Sequence, residues 1–195
     1  MRPMNVTRRR FLTVATSIAG GIGMAGAAAP FVASMLPSER AKAAGAPVAA
    51  DISDLAPGEL RIVAWRGSPV WILRRTVAML ADIRSDDAVV SDPRSDVPQQ
   101  PAYAQNEFRS IKPGIAVLIG VCTHLGCSPE FKSAGDRADM GQAWHGGFFC
   151  PCHGSKFDLA GRVLRGSPAP TNLIVPPYEF ANDDKIIIGS DKTNG

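Results

Sequence analysis

The chain has 195 residues, 45% of them hydrophobic and 20% charged, which is typical of one globular domain with a tail or an anchor. Its net charge of +3 is uneven, because residues 1–44 carry +5 and the remaining residues carry −2. The larger part of the chain has no positive excess with which to neutralise phosphates, and this argues against nucleic acid as a partner.

The N-terminal segment combines an arginine cluster with a long uncharged run. Arg8, Arg9 and Arg10 precede residues 11–36, none of which is charged. An arginine pair before an apolar run resembles a twin-arginine export signal. The run is longer than the apolar core of about 7–15 residues in a cleaved signal, and it is long enough to span a bilayer. We therefore expect residues 1–10 to be a cytoplasmic twin-arginine segment and residues 11–36 to be a transmembrane anchor.

The position of the arginines also predicts the orientation of the chain. Basic residues before a span favour an N-terminus in the cytoplasm, which places residue 37 onward in the periplasm of a bacterial inner-membrane, single-pass protein. The alternative is a cleaved signal, with Ala41-Lys42-Ala43 as a possible cleavage site. An exported domain can keep a disulfide. The twin-arginine route carries folded cargo, which suits a domain that acquires its cofactor before export.

The remainder of the chain predicts a linker and then an all-β domain. Residues 37–50 are mostly small and are expected to form a flexible linker, with a helix that continues from the membrane as the alternative. Residues 51–195 contain short apolar runs separated by turn residues, a pattern typical of all-β domains. Trp65 and Trp71 lie in strand patterns and are expected in the core, whereas Arg74 and Arg75 are expected on a solvated face.

The individual elements follow from local patterns. Residues 60–65 and 69–74 predict a hairpin around Arg66-Gly67-Ser68, and residues 76–84 predict a short helix. Residues 85–106 are polar and rich in proline, which predicts a long surface loop. A continuous apolar strand is expected at 115–121, and short strands are expected at 148–150, 156–157, 162–164, 173–175, 178–180 and 185–188.

All four cysteines lie between residues 122 and 152, together with two of the three histidines. Thiolates and imidazoles are the ligands that soft and borderline metals prefer. Six candidate ligands exceed the four that zinc or a binuclear iron cluster needs, but in an exported domain one cysteine of each group can pair as a disulfide. The two remaining cysteines and the two histidines would fit a Rieske 2Fe–2S centre. The two groups, called box 1 and box 2, are Cys122-Thr123-His124-Leu125-Gly126-Cys127 and Cys150-Pro151-Cys152-His153-Gly154-Ser155.

Two other arrangements of the same residues are open. A zinc site with two cysteines and two histidines is possible, although it would leave the two-box pattern unexplained. Two disulfides without a metal would leave His124 and His153 without a purpose. His145 lies outside both boxes, in a predicted surface loop, and is assigned no role.

The two boxes resemble those of the Rieske subunit of cytochrome bc complexes (ubiquinol–cytochrome c reductase) of the proteobacterial type. Gly166-Ser167-Pro168-Ala169-Pro170 resembles that family's proline loop, and the arginine signal, single anchor and linker follow in the family's order. The resemblance implies an all-β Rieske domain of antiparallel sheets, with a small cluster-binding subdomain at about 115–170, preceded by one N-terminal transmembrane helix.

The resemblance also implies roles for single residues. It makes Cys127 and Cys152 the disulfide, and it makes Ser155 a donor to a bridging sulfide of the cluster. Leu125 would shield the cluster at the docking tip. His153 would be the catalytic contact with quinol, with His124 also exposed. The four ligands of one 2Fe–2S cluster would be Cys122, His124, Cys150 and His153.

One position departs from the family pattern. Many members have tyrosine two residues after the serine of box 2, and its hydroxyl donates to a cysteine sulfur, whereas this chain has Phe157. Hydrogen bonds to sulfur are one of the means by which proteins set the potential of such clusters. Phe157 therefore predicts a reduction potential below that of the tyrosine-bearing relatives.

The implied function is electron transfer in a respiratory quinol–cytochrome c oxidoreductase. The chain would accept an electron, with a proton at a ligand histidine, from quinol and pass it to a c-type cytochrome. Its partners would be the cytochrome b and cytochrome c-type subunits of a dimeric complex, quinol and membrane lipid. Three alternatives are the small Rieske subunit of arsenite oxidase, a ring-hydroxylating oxygenase component and a structural module. The oxygenase components lack the cysteines of the disulfide and are not exported.

Overall fold

The computed structural model describes residues 6–38 and 45–191. Predictions that fall on residues 1–5, 39–44 and 192–195 lie outside the described residues, among them the possible cleavage site and parts of the cytoplasmic segment and linker. The chain divides into two compact units, with the boundary between residues 43 and 44. Each unit is described by itself.

The first unit is built on one long helix, α1, which covers Val6–Ser34. Its 29 residues correspond to about 43 Å at a rise of about 1.5 Å per residue. Because the hydrocarbon core of a bilayer is about 30 Å thick, the helix is long enough to cross it. Among the described residues, α1 alone is both long and apolar enough for this. Pro30 has no N–H, so the carbonyl of Gly26 lacks its usual helical donor.

The second unit contains three antiparallel three-stranded sheets, in agreement with the expected all-β domain. The first has the order β1-β9-β8, the second β2-β3-β4 and the third β5-β6-β7. Within residues 45–191, two α-helices complete the regular elements, α2 at Val77–Ser85 and the single turn α3 at Arg137–Met140, together with three short 3₁₀-helices at Asp86–Ala88, Ala102–Ala104 and Ala134–Asp136. The strands are β1 Val48–Asp51, β2 Leu60–Trp65, β3 Ser68–Arg74, β4 Ile115–Ile119, β5 Glu130–Lys132, β6 Gly147–Phe149, β7 Lys156–Phe157, β8 Tyr178–Asn182 and β9 Lys185–Ile188.

The beginning of the folded domain differs from the expected boundary at residue 51. Residues 48–50, which composition assigned to the linker, belong to β1, where Val48 pairs with Ile188 and Ala50 with Ile186. Small residues do not predict a strand by themselves. Residues 48–50 are extended here because they pair with β9. The part of the expected linker that precedes the sheet is therefore 37–47.

The predicted hairpin and helix are both present, with boundaries shifted by one residue. Strands β2 and β3 are joined by Arg66 and Gly67, whose φ angles of 50° and 74° suit the two-residue turn that continues the twist of a hairpin. Helix α2 begins after Thr76, whose side chain accepts a hydrogen bond from the backbone N–H of Met79 at 3.2 Å.

Side chains of the second and third sheets pack against each other in the hydrophobic core. The indole of Trp71 in β3 stacks on the ring of Phe148 in β6, with ring centroids 4.6 Å apart. Trp65 and Trp71 are both buried, as predicted. Gly120 fits closely against this stack, since a Cβ at that position would lie 2.2 Å from the Trp71 ring. The chain that leads into box 1 is thereby packed directly against the core.

Two predictions about polar segments were wrong. Arg75 is buried, not solvated, and it donates to the carbonyl of Phe108 at 2.9 Å and to Oγ of Ser110 at 2.7 Å. The loop 85–106 is not a surface loop throughout, because Asp86 and Ser95 are buried within it. Irregular backbone in an interior needs internal hydrogen-bond partners, and guanidinium groups supply them. Burial lowers the pKa of Arg75 to about 10.

Candidate metal centre

Both boxes are loops with the same backbone hydrogen bonds. In box 1 the N–H of Cys122 donates to the carbonyl of Cys127 at 2.7 Å, and the N–H of Gly126 donates to Cys122 at 3.0 Å. In box 2 the equivalent bonds run from Cys150 to Ser155 at 2.8 Å and from Gly154 to Cys150 at 2.9 Å. Gly126 and Gly154 have φ angles of 83° and 79°, a left-handed conformation that favours glycine.

Three strands hold the boxes in place. Box 1 follows β4, a strand whose side chains are almost all buried, and box 2 lies between β6 and β7, which pair with each other. The first cysteine of each box is buried, because both Cys122 and Cys150 belong to the hydrophobic core. The strands thus fix the beginning of each loop and leave its middle at the surface.

The cysteines and histidines of the boxes form two layers. Cys122 and Cys150 are free thiols with 2% exposure each. His124 is half-buried and His153 is exposed, and their rings meet edge to face with centroids 4.8 Å apart. Two buried sulfurs and two neighbouring imidazoles near solvent are the donor set that a Rieske centre needs, with one iron inside and one outside.

The surroundings of the Cys150 sulfur act on its pKa in two directions, and the net result is a raised pKa. Burial raises the pKa of Cys150, and contact with the Cys122 thiol raises it further. The backbone N–H groups of Cys152 and His153 act in the opposite direction, because they donate to the sulfur and stabilise its negative charge. A metal ion replaces the proton when it binds a thiol, so these fixed donors fit a ligand sulfur.

A disulfide joins the two boxes, and it links Cys127 to Cys152 as the resemblance implied. The sulfur atoms of Cys127, Cys150 and Cys152 all lie within 4.8 Å of one another, an arrangement that could suggest a metal site with three cysteines. The disulfide argues against that assignment, because paired sulfurs are not available as thiolates.

The loop at residues 166–170 contacts box 2, and Thr171, the residue after it, contacts box 1. Ser155 is fully buried, and its Oγ accepts a hydrogen bond from the N–H of Ala169 at 3.0 Å. Among the described residues its hydroxyl hydrogen has no acceptor, so it is available to a sulfide in the site. Thr123 of box 1 donates to the carbonyl of Thr171 at 2.7 Å. Sequence reasoning missed Thr123, since a threonine between two ligands carries no signal of its own.

The two remaining predicted site positions differ in exposure. The side chain of Leu125 is 72% exposed at the tip of box 1. The ring of Phe157 is fully buried in β7, opposite Phe148 of β6. Leu125, which follows His124 in the chain, therefore presents an apolar side chain to solvent.

Comparison with known proteins agrees with this geometry. Residues 46–179 match the family model "Rieske [2Fe-2S] domain", and residues 3–38 match "Ubiquitinol-cytochrome C reductase Fe-S subunit TAT signal". The ubiquinol-cytochrome c reductase iron-sulfur subunit of Allochromatium vinosum is 56% identical over 97% of this chain and 91% of that protein. The chain belongs to this family of Rieske iron–sulfur subunits. It is therefore an electron-transfer protein whose cofactor is a Rieske [2Fe–2S] cluster.

Other relatives extend the same likeness. The corresponding subunit of Blastochloris viridis is 46% identical over 94% of this chain and 93% of that protein. A chain of the solved structure "Hyperthermophilic respiratory Complex III" is 26% identical, with a TM-score of 0.48, and the match covers 89% of this chain and 98% of that chain. The N-terminal helix with its twin-arginine signal anchors this Rieske subunit in a membrane.

His145, to which the sequence assigned no role, contacts a buried carboxylate. Its Nδ1 lies 2.7 Å from Oδ1 of Asp86, in the turn after α2. The next residue, Asp87, accepts from Nη1 of Arg162 at 2.5 Å, and Arg162 also donates through Nε to Asp158 at 2.7 Å. The turn after α2 therefore contacts both sides of box 2. His145 connects it to the segment before the box, and Arg162 connects it to the segment after the box.

Proposed function

We propose that this Rieske subunit works in a cytochrome bc1 complex of a bacterial inner membrane, where it accepts electrons from quinol and delivers them to a c-type cytochrome. Its N-terminus would lie in the cytoplasm and its β domain in the periplasm. The observation that supports this best is the content of the two boxes: two buried free cysteines, two histidines with neighbouring rings, and a disulfide between the other two cysteines that joins the boxes.

The proposed ligands are Cys122 and Cys150 for the inner iron and His124 and His153 for the outer iron. When bound, the cluster supplies a one-electron redox centre. The chain contributes backbone donors to the Cys150 sulfur and a free hydroxyl hydrogen on Ser155. The disulfide keeps the two loops together, so both histidines stay in place at the surface.

His153 is the proposed contact with quinol. Its ring is exposed, so a quinol hydroxyl can reach the imidazole nitrogen that does not bind metal and give it a proton. Leu125 on the adjacent loop offers an apolar surface against which a docked partner would exclude water. The cytochrome b subunit is the partner that would hold the quinol, and a cytochrome c-type subunit would receive the electron.

The ligand assignment predicts which variants lose the cluster. His153→Asn and Cys150→Ser should each abolish the low-temperature EPR signal of reduced membranes, because each removes a donor to iron. His145→Asn is the matched control, since it removes the histidine outside the boxes while the asparagine amide can still donate to Asp86, and it should keep the signal. A full signal in His153→Asn, or stoichiometric zinc in place of two irons per chain, would contradict the assignment.

A further inference from the structure

A free thiol lies beside the disulfide that joins the boxes. Cys150 is not paired, yet its sulfur is within 4.8 Å of both sulfurs of the Cys127–Cys152 bond. Thiol–disulfide exchange begins with the attack of a thiolate on a disulfide sulfur. Cys150 is therefore an internal nucleophile whose sulfur already lies close to the disulfide.

We propose that Cys150, in a chain that lacks the cluster, attacks Cys127 and moves the disulfide from Cys127–Cys152 to Cys127–Cys150. The Cys150 thiol gives its proton to water, the new S–S bond forms, the old one breaks, and Cys152 leaves as a thiolate that takes up a proton. The number of disulfides is unchanged, so the exchange consumes no oxidant and no reductant. This inference rests on the proposed role of Cys150 as an iron ligand.

The direction of attack follows from the chain between the cysteines. Attack on Cys152 would close a disulfide ring over Pro151 alone, and the fixed φ angle of proline restricts the turn that such a ring requires. Attack on Cys127 instead keeps a covalent link between the two boxes. Cys127 is half-buried, and its sulfur lies within 4.8 Å of the Cys150 sulfur.

The exchange makes cluster binding and disulfide pairing compete for one sulfur. A thiolate bound to iron is not free to attack, so a loaded chain keeps the Cys127–Cys152 pair. A chain with the Cys127–Cys150 pair has lost a ligand and cannot take up the cluster. The order of assembly then decides which disulfide forms. The Cys127–Cys152 bond persists only when Cys150 is already bound to iron.

Disulfide mapping tests this directly. The full-length protein in detergent is divided, one half is stripped of iron with a chelator, and both halves are held without oxygen at pH 8. Free thiols are then alkylated and the protein is digested. Mass spectrometry shows whether Cys150 or Cys152 carries the alkyl group, because backbone fragmentation at Pro151 separates the two residues. The stripped half should convert to Cys127–Cys150 over minutes to hours, whereas the loaded half should retain Cys127–Cys152.

Two matched variants separate the nucleophile from the loss of the cluster. Cys122→Ser and Cys150→Ser each remove one proposed ligand, but only the first keeps the Cys150 thiol. Cys122→Ser should rearrange its disulfide, and Cys150→Ser should keep the Cys127–Cys152 bond.

The possible failures are distinguishable. Persistence of Cys127–Cys152 in both the stripped protein and Cys122→Ser would overturn the exchange, as would rearrangement in Cys150→Ser. A normal EPR signal in Cys150→Ser would instead contradict the proposed ligand set, whatever the disulfide map shows.

Discussion

Phe157 is the residue through which we propose that the domain lowers the reduction potential of its cluster. The ring is fully buried beside box 2, and the family resemblance places a tyrosine hydroxyl there that donates to a cysteine sulfur. Without that donor the reduced and more negative form of the cluster receives less stabilisation. The polarity of this one buried position thus bears on the driving force for electron transfer from quinol.

Phe157→Tyr should raise the reduction potential. A hydrogen bond to a charged group contributes about 1.5 kcal/mol, which for one electron corresponds to about 60 mV. A redox titration followed by EPR measures the change. Phe180→Tyr in β8, in a different sheet, adds the same hydroxyl elsewhere and should leave the potential unchanged. Equal reduction potentials in Phe157→Tyr and the original protein would contradict this explanation.

Single residues were predictable where their chemistry lies in a short segment. The boxes could be identified because each is a run of six residues, whereas the pairing of Cys127 with Cys152, 25 residues apart, followed from the family resemblance. Arg75 and His145 could not, since their partners Phe108 and Asp86 lie 33 and 59 residues away. A charged side chain does not indicate whether it will face water or a distant carbonyl.

At the scale of elements, the turn after α2 connects parts of the domain that are distant in sequence. Asp86 and Asp87 hold His145 and Arg162, and these two residues flank the β6–box 2–β7 unit. The hairpin and α2 were predicted correctly because turns and caps are local signals. The loop 85–106 was not, because its order depends on contacts with residues 59 to 80 positions further along the chain.

Arg162→Met should destabilise the domain strongly. The guanidinium is fully buried and also donates to the carbonyl of Ile83, so its removal leaves the buried Asp158 without its cation. Breaking a buried pair in this way costs about 3–5 kcal/mol. Denaturation followed by near-ultraviolet circular dichroism measures the free energy of unfolding.

Asp87→Asn is the matched comparison, because it changes a half-exposed partner of the same arginine. It should cost about 1 kcal/mol or less, since exposed ion pairs contribute little. Equal losses in Asp87→Asn and Arg162→Met would show that the buried Asp158 contact has no special importance.

At the scale of the whole molecule, the chain consists of a membrane helix and a β domain whose sheet begins at Val48. We propose that residues 37–47 let the domain move between the quinol site and the cytochrome. One cluster can serve two partners only if its distance to each of them changes. The sequence identified both units, but the end of the linker depended on the pairing of β1 with β9, which is a long-range contact.

A stiffer linker should slow turnover and leave the cluster intact. Replacement of Gly45 and Ala46 by prolines, next to Pro47, restricts the backbone at the start of the domain. Quinol-dependent reduction of cytochrome c by membranes should fall several-fold, with an unchanged EPR signal. Gly45→Ala with Ala46→Gly is the control and should retain turnover. Full activity in the proline variant would refute the proposed movement.

The matching hydrogen bonds of the two boxes have a consequence for design. Since Cys122 corresponds to Cys150 and Cys127 to Ser155 in backbone position, the same six-residue scaffold occurs twice. The difference between the two loops lies in their side chains, which place histidine third in one and fourth in the other. A designed redox protein could therefore use one six-residue loop backbone twice. Only the side chains of the two copies would have to differ.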